Sequence, residues 1–382
     1  MAVERMPITP EVVTWARERL GYSLDALAVK RKDFRKIAEW EMGESRPTYR
    51  QLEKLAKDLW LPVAVFFFPE PPETPKIEET FRTLGSEQFD EVPPSIRKLL
   101  HKARAFQVGL SELSDGRNPA RTQIIRDLRL DINEELSYAT RRVRDYIGVT
   151  LEQQFNWIDN DEALKNWRSA LFNVGVTVFK DAFKTDDYSG FSLYDSDFPI
   201  IYVNNSNEKV RQIFTLFHEL AHLLFHTSGV DSNSTFQYPL LEEYAQIERR
   251  CNAFAGAFLV PDNAFERVVH PEADPVSEAQ RLSRMFCVSR EVILRKYRDR
   301  QLISPQEYRE TVAAWRDEIR PSATRGGNYY RTQIAYLGED YIELAFRRLE
   351  ENLIDEEELA DYLAVAPKNL DKLEDLVIGA RS

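Results

Sequence analysis

Residues 205–226 read NSNEKVRQIFTLFHELAHLLFH, and the rest of the chain is best understood from this stretch. The chain has five histidines, and three of them, His218, His222 and His226, fall here. His218-Glu219-Leu220-Ala221-His222 is an H-E-x-x-H motif. Residues four apart on a helix share a face, so both imidazoles can reach one metal ion, with Glu219 beside them as general base. From Ile213 to Phe225 the stretch is apolar almost all round, which predicts a buried helix. Asn205, with Glu208 three residues on, predicts its N-terminal cap. Burying two imidazoles and a carboxylate is unfavourable unless they are paired or bind a metal. The alternative to a metal is a polar cluster satisfied by hydrogen bonds.

A catalytic zinc takes three protein ligands and keeps a fourth position open. A third histidine six residues past His222 would complete one known pattern, but position 228 is serine, which excludes it. His226 lies one turn on along the same stripe. Because Gly229 follows shortly, His226 reads more simply as a last-turn residue that favours the helix dipole. The remaining source is a carboxylate on the next predicted helix, about Leu240 to Leu259, whose apolar stripe is Ile247, Cys251, Phe254, Ala255 and Phe258. Glu248 and Asn252 sit four apart on the flank of that stripe. Glu248 is the best ligand candidate, and Asn252 could orient a ligand histidine. A solvated salt bridge from Glu248 to Arg249 or Arg250 fits the residues equally well.

His218-Glu219-Leu220-Ala221-His222, then Glu248 and Asn252-Ala253-Phe254-Ala255, then Leu259-Val260-Pro261, resembles the ImmA/IrrE family of metallopeptidases. Arg211-Gln212, Phe214-Thr215-Leu216 and the strand-like Pro199 to Asn204 extend the resemblance upstream. It implies zinc on His218, His222 and Glu248, with Glu219 activating water. Arg250 and Cys251 stand where the family favours an acid or alanine, a departure that touches no catalytic position. Such sites usually add a group that stabilises the oxyanion, and Tyr244, Tyr202 and His226 are the candidates.

A chain of 382 residues with 43% hydrophobic content has enough length for two or three domains. Its net charge of −12 argues against non-specific binding of nucleic acid or an anionic membrane by the whole molecule. Cys251 and Cys287 form no C-x-x-C and read as small buried residues in a reducing compartment. The opening MAVERMP holds no apolar run of the kind a secretion signal has, and Leu59 to Phe68 is too short to span a membrane. A cytoplasmic protein is expected.

The expected fold class is α+β and mostly helical. A helix-turn-helix unit over 1–72, whose fourth helix opens with a Thr48-x-x-Gln51 capping box, is followed by a connector and helical segment over 73–160. In that segment Phe81-Arg82-Thr83 is similar to a run in fused members of the ImmA/IrrE family, and a helix is expected over 118–129. The zincin-like core spans 161–262, with a small sheet (176–179, 191–194, 199–203) before the H-E-x-x-H helix. A helical segment over 263–325 and an acidic helical tail over 326–382 complete the chain. The first unit resembles XRE-type repressors through Ser23-Leu24, Leu27-Ala28, Ile37-Ala38, Trp40-Glu41, Gly43, Arg46-Pro47-Thr48, Leu52 and Leu55-Ala56. Its turn, Lys30-Arg31-Lys32-Asp33-Phe34, lacks the usual glycine and is one residue short; a helix over 34–42 is expected to follow. Lys30, Arg31, Lys32, Arg35 and Lys36 are candidate DNA phosphate contacts. Against that, residues 1–72 hold 12 basic and 11 acidic residues, and the alternative is a former DNA-binding fold reused for protein contact.

Residues 277–300, with Val288-Ser289 as turn and cap, have the outline of a second helix-turn-helix, read here as ordinary packing. The tail, with 6 basic and 13 acidic residues over 327–382, is a poor DNA surface and a plausible protein-contact surface. The resemblance implies a protein substrate, such as a helix-turn-helix repressor or another product of a neighbouring gene. The setting would be stress response, mobile-element control or a toxin–antitoxin pair. A DNA-binding regulator or antitoxin with the zincin domain as sensor or scaffold is the competing reading, and fused units of this kind often form homodimers.

Overall fold

The computed structural model describes residues 4–73, 92–226, 230–232, 242–318 and 327–379. Phe81-Arg82-Thr83 lie outside the described residues. The chain divides into two units, Met1–Arg104 and Ala105–Ser382.

In the first unit, α1 (Pro10–Arg19) has proline at its start, α2 (Leu24–Lys30) is capped by Ser23, and α3 (Ile37–Glu41) and α4 (Tyr49–Leu59) follow. The expected capping box of α4 forms, with Thr48 and Gln51 satisfying each other's backbone. Val12, Val13, Leu27, Phe34, Trp40, Leu52 and Leu55 make the core. The helix expected over 34–42 is shorter than the sequence suggested. Arg31 is extended, Lys32–Phe34 is a single 3-10 turn, and α3 has only five residues. Phe34 is buried, and Lys54 holds Asp33 at 2.6 Å, so the turn is pinned to α4 rather than continued as helix.

The second unit takes in the later part of α5 (Pro94–Leu113), then α6 (Ile124–Asp127), α7 (Leu136–Ile147), α8 (Leu151–Phe155) and α9 (Asn160–Asn173). The helix expected over 118–129 is the single turn α6. Strands β1 (Thr177–Asp181), β2 (Tyr188–Leu193) and β3 (Ile200–Asn204) lead into α10 (Lys209–Leu224). A short strand, β4 (Val230–Ser232), completes a mixed sheet of order β1-β3-β2-β4, with β1 parallel to β3 and the other pairs antiparallel. No sequence signal marks β4, whose three residues are too few for an alternation to register.

Alternation along the strands sorts the two faces of the sheet. Val178, Ile201 and Val203 join α10 in the main core, with Trp167 packed edge-on to Phe217 at 4.8 Å. The opposite face is aromatic: Phe191 stacks on Tyr202 at 5.1 Å, and Tyr341 packs against Phe179 at 5.0 Å.

After α11 (Glu242–Leu259) come α12 (Asp262–Val268), α13 (Pro275–Phe286), α14 (Arg290–Asp299) and α15 (Pro305–Glu318). The α13–α14 turn has Ser289 as N-cap, as the sequence suggested, and its Cys287 is left-handed. Helices α16 (Tyr329–Leu337), α17 (Glu339–Glu350), α18 (Glu356–Tyr362) and α19 (Leu370–Val377) end the chain. Arg168 ties α16 to the sheet, donating to Ala335 O at 2.8 Å and to Val178 O at 2.7 Å. Gly338, at φ +90, lies where any side chain would strike that guanidinium. Among the described residues, no helix is long and apolar enough to cross a membrane.

Candidate metal centre

Helix α10 is buried from Thr215 to its end, and His218, Glu219 and His222 are buried with it. Its start differs from expectation. Glu208 is the N-cap and makes no side-chain cap bond, and Asn205 lies in the preceding turn. That turn is held differently: Gln212 donates to Asn207 O at 2.6 Å and accepts from Lys180 Nζ at 2.9 Å. One face of α10 runs closely along β2. Arg211 donates to Ser189 Oγ at 2.8 Å, Thr215 lies over Gly190, and Glu219 Oε2 accepts from Ser192 Oγ at 2.8 Å.

Helix α11 packs beside α10 and delivers the third group. Glu248 lies 3.2 Å from His218 Nε2 and 3.0 Å from His222 Nε2, and the two Nε2 atoms are 3.1 Å apart. One donor atom from each residue lies within 4.8 Å of the others. Asn252, one turn on from Glu248, meets His218 Nδ1 through its Oδ1 at 3.2 Å. That oxygen can only accept, so His218 carries its proton on Nδ1 and, when neutral, turns the Nε2 lone pair inward. Burial pushes the Glu248 carboxyl up, and the facing imidazoles of His222 and His218 overcome that and hold it well below the usual carboxylate range. An ionised carboxylate facing two imidazole nitrogens at such distances needs a cation among them, either a shared proton or a metal ion. The residues therefore fit a divalent metal, and two imidazoles with one carboxylate suit zinc well.

The other candidates fall elsewhere. His226 is past the end of α10, in left-handed conformation at φ 58, rather than in its last turn. Its Nδ1 lies 3.4 Å from the Tyr194 hydroxyl, and burial, then Arg129, push its pKa down. Tyr202 stacks on the aromatic face of the sheet, away from α10, with its hydroxyl 3.5 Å from Asp181. It does not reach the cluster, because strand alternation turns position 202 outward while Ile201 and Val203 face the helix. The side chain of Tyr244 lies outside the described residues.

In the first unit, Arg31 pairs with Asp58, Lys36 with Glu39 at 3.0 Å, and Lys30 donates to Tyr22 at 2.7 Å. Lys32 and Arg35 are exposed.

Ser192, Gly190 and Lys180 were not found by sequence reasoning. The serine and glycine carry no motif, and a lysine inside a strand reads as solvated until its neighbours are known.

Residues 173–298 match the peptidase M78 family model, described as an IrrE N-terminal-like domain. The match covers the sheet, both site helices and α12 to α14, and supports a zincin-like metallopeptidase domain of the ImmA/IrrE family over that part of the chain. Comparison with curated proteins finds no match.

Proposed function

We propose that the protein is a zinc-dependent endopeptidase that cuts a specific regulatory protein, such as a helix-turn-helix repressor encoded nearby. The observation that carries this reading is the convergence of His218, His222 and Glu248 beside a buried Glu219. When bound, zinc supplies a Lewis acid that polarises a carbonyl and acidifies water. His218 and His222 would hold it with Glu248, and Asn252 fixes the His218 ring in the tautomer that presents Nε2. Glu219 takes a proton from the attacking water and returns it to the leaving amine. Its surroundings are closed to bulk water, which keeps the carboxylate's proton for the substrate.

Of the two sheet edges, β1 already gives Val178 O to Arg168, which favours β4 as the edge that pairs with a substrate strand. The test is cleavage of neighbouring-gene regulators by wild type and Glu219→Gln at equal metal content. Wild-type cleavage that falls at least about a hundredfold in Glu219→Gln supports the reading. Cleavage that survives the change in a contaminant-free preparation refutes it.

The DNA-binding regulator is the weaker reading, because three of its five candidate contacts already have partners within the unit. A mobility shift on the protein's own upstream DNA, run across a salt series, tests it. A phosphate-contacting protein would lose affinity steeply as salt rises.

A further inference from the structure

We propose that Ser192 is a positioning residue for Glu219, and that Gly190 sets the helix–strand spacing on which that role depends. The proposal rests on the metallopeptidase reading and extends it to residues outside the H-E-x-x-H and Glu248 set. Ser192 and Glu219 are both wholly buried, and the serine hydroxyl donates to Glu219 Oε2 at 2.8 Å. Ser192 is the fifth of the six residues of β2, opposite Ile201 of β3, which belongs to the main apolar core. A hydroxyl buried there is unfavourable unless it is bonded, and its bond goes to the catalytic carboxylate.

The spacing between α10 and β2 is set by a glycine. A Cβ at Gly190 would lie 2.5 Å from Thr215 Cγ2 and 2.9 Å from the backbone oxygen of Tyr202. The second contact is with backbone and cannot rotate away. Arg211, Thr215 and Glu219 recur at intervals of four and meet Ser189, Gly190 and Ser192 in turn. The arrangement is a close seam between helix and strand, with the general base at one end. The hydrogen bond to Oε2 holds the Glu219 carboxylate in one orientation, as a supporting hydrogen bond does for a metal-site base.

The test uses the full chain loaded with cobalt, with acetohydroxamic acid as the probe. A hydroxamic acid binds a metal ion through two oxygens and gives its proton to a neighbouring base, so its affinity reports on the base as well as the metal. Cobalt uptake is read separately from the visible spectrum. Ser192→Ala should take up cobalt as wild type does and bind the probe about tenfold more weakly, the size expected for one hydrogen bond to a charged group. In a Glu219→Gln background, Ser192→Ala should have no further effect, because its influence passes through the carboxylate. Gly190→Ala should weaken the probe as Ser192→Ala does. Equal probe affinity in Ser192→Ala and wild type overturns the proposal. An undiminished Ser192→Ala effect in the Glu219→Gln background also overturns it, since a merely structural serine would behave that way. Wild type that takes up no cobalt overturns the metallopeptidase reading, and this role with it; the separate uptake measurement tells that failure from failure of Ser192 alone.

Discussion

Two groups of helices in the second unit both bring titratable side chains into contact, and they do so in opposite ways. Along α12 to α14, acids meet cations. Asp262 takes Lys296 and Arg300 at 2.8 Å each, and Glu278 accepts from Arg281 Nε at 2.8 Å. The Arg281 hydrogen bond leads the causes that hold Glu278 down to about 2. Arg290 lies over the Trp315 ring at 4.5 Å. Lys296 and Arg290 of α14 are thus engaged within this unit. Between α10 and α11, by contrast, a carboxylate meets two imidazoles, and one of those imidazoles presents a lone pair. The first arrangement is electrically closed. The second is closed only by a cation from outside, and that difference separates structural ionic packing from a candidate active site. Lys180 is an intermediate case, a deeply buried amino group that donates to the neutral amide of Gln212.

The comparison can be broken most decisively at the metal. Glu248→Ala should drop the content from about one metal per chain to none, measured by elemental analysis. In wild type, a chelator should lower stability by about 3 kcal/mol if free metal stood a hundredfold above its Kd, read from thermal melts with and without the chelator. A stability unmoved by the chelator would mean the α10–α11 cluster closes itself as α12 to α14 does.

Lys180 gives the next largest effect. Burial first, then Arg168 and Lys209, push its pKa from 10.5 down to about 6. The unfolded chain therefore holds the extra proton between those values, and stability rises with pH across that window. The contribution is about 1 kcal/mol per pH unit. Urea unfolding of Lys180→Met between pH 6.5 and 9 should show a correspondingly flatter rise than wild type. An unchanged slope would place the lysine among the ordinary surface charges.

The smallest effect belongs to the closed side. Asp262 is more than half exposed, so Asp262→Ala should cost no more than about 1 kcal/mol in urea unfolding and leave the metal content unchanged. A larger loss would show that the α12–α14 charges carry more of the fold than solvent-screened pairs usually do.

Much of the fold was legible in the sequence because its signals were local. The apolar run around His218 and Glu219 gave a buried helix, Thr48 and Gln51 gave a cap, and Val288-Ser289 gave the α13–α14 turn. The errors came where a distant contact overrode a local preference. The helix expected from residue 34 gave way to a 3-10 turn held by Lys54, and the Asn205 cap gave way to a turn held by Gln212. His226 illustrates the limit of helical spacing: its i+4 relation to His222 is real in sequence, but the helix stops at Leu224.

By itself, then, the sequence determined a buried helix carrying two imidazoles and a carboxylate at metal-binding spacing, because helical periodicity is a property of neighbours along the chain. It did not choose between Glu248 as a metal ligand and Glu248 as a surface ion pair, and it did not reveal Ser192. Those followed from how α11 and β2 lie against α10, and that packing depends on contacts across 26 or more residues of sequence, such as Glu248 with His222 and Ser192 with Glu219. Only the tertiary structure brings such groups within hydrogen-bond distance, because the spacing between packed elements is set by side-chain volume at every point of contact, down to the missing Cβ of Gly190.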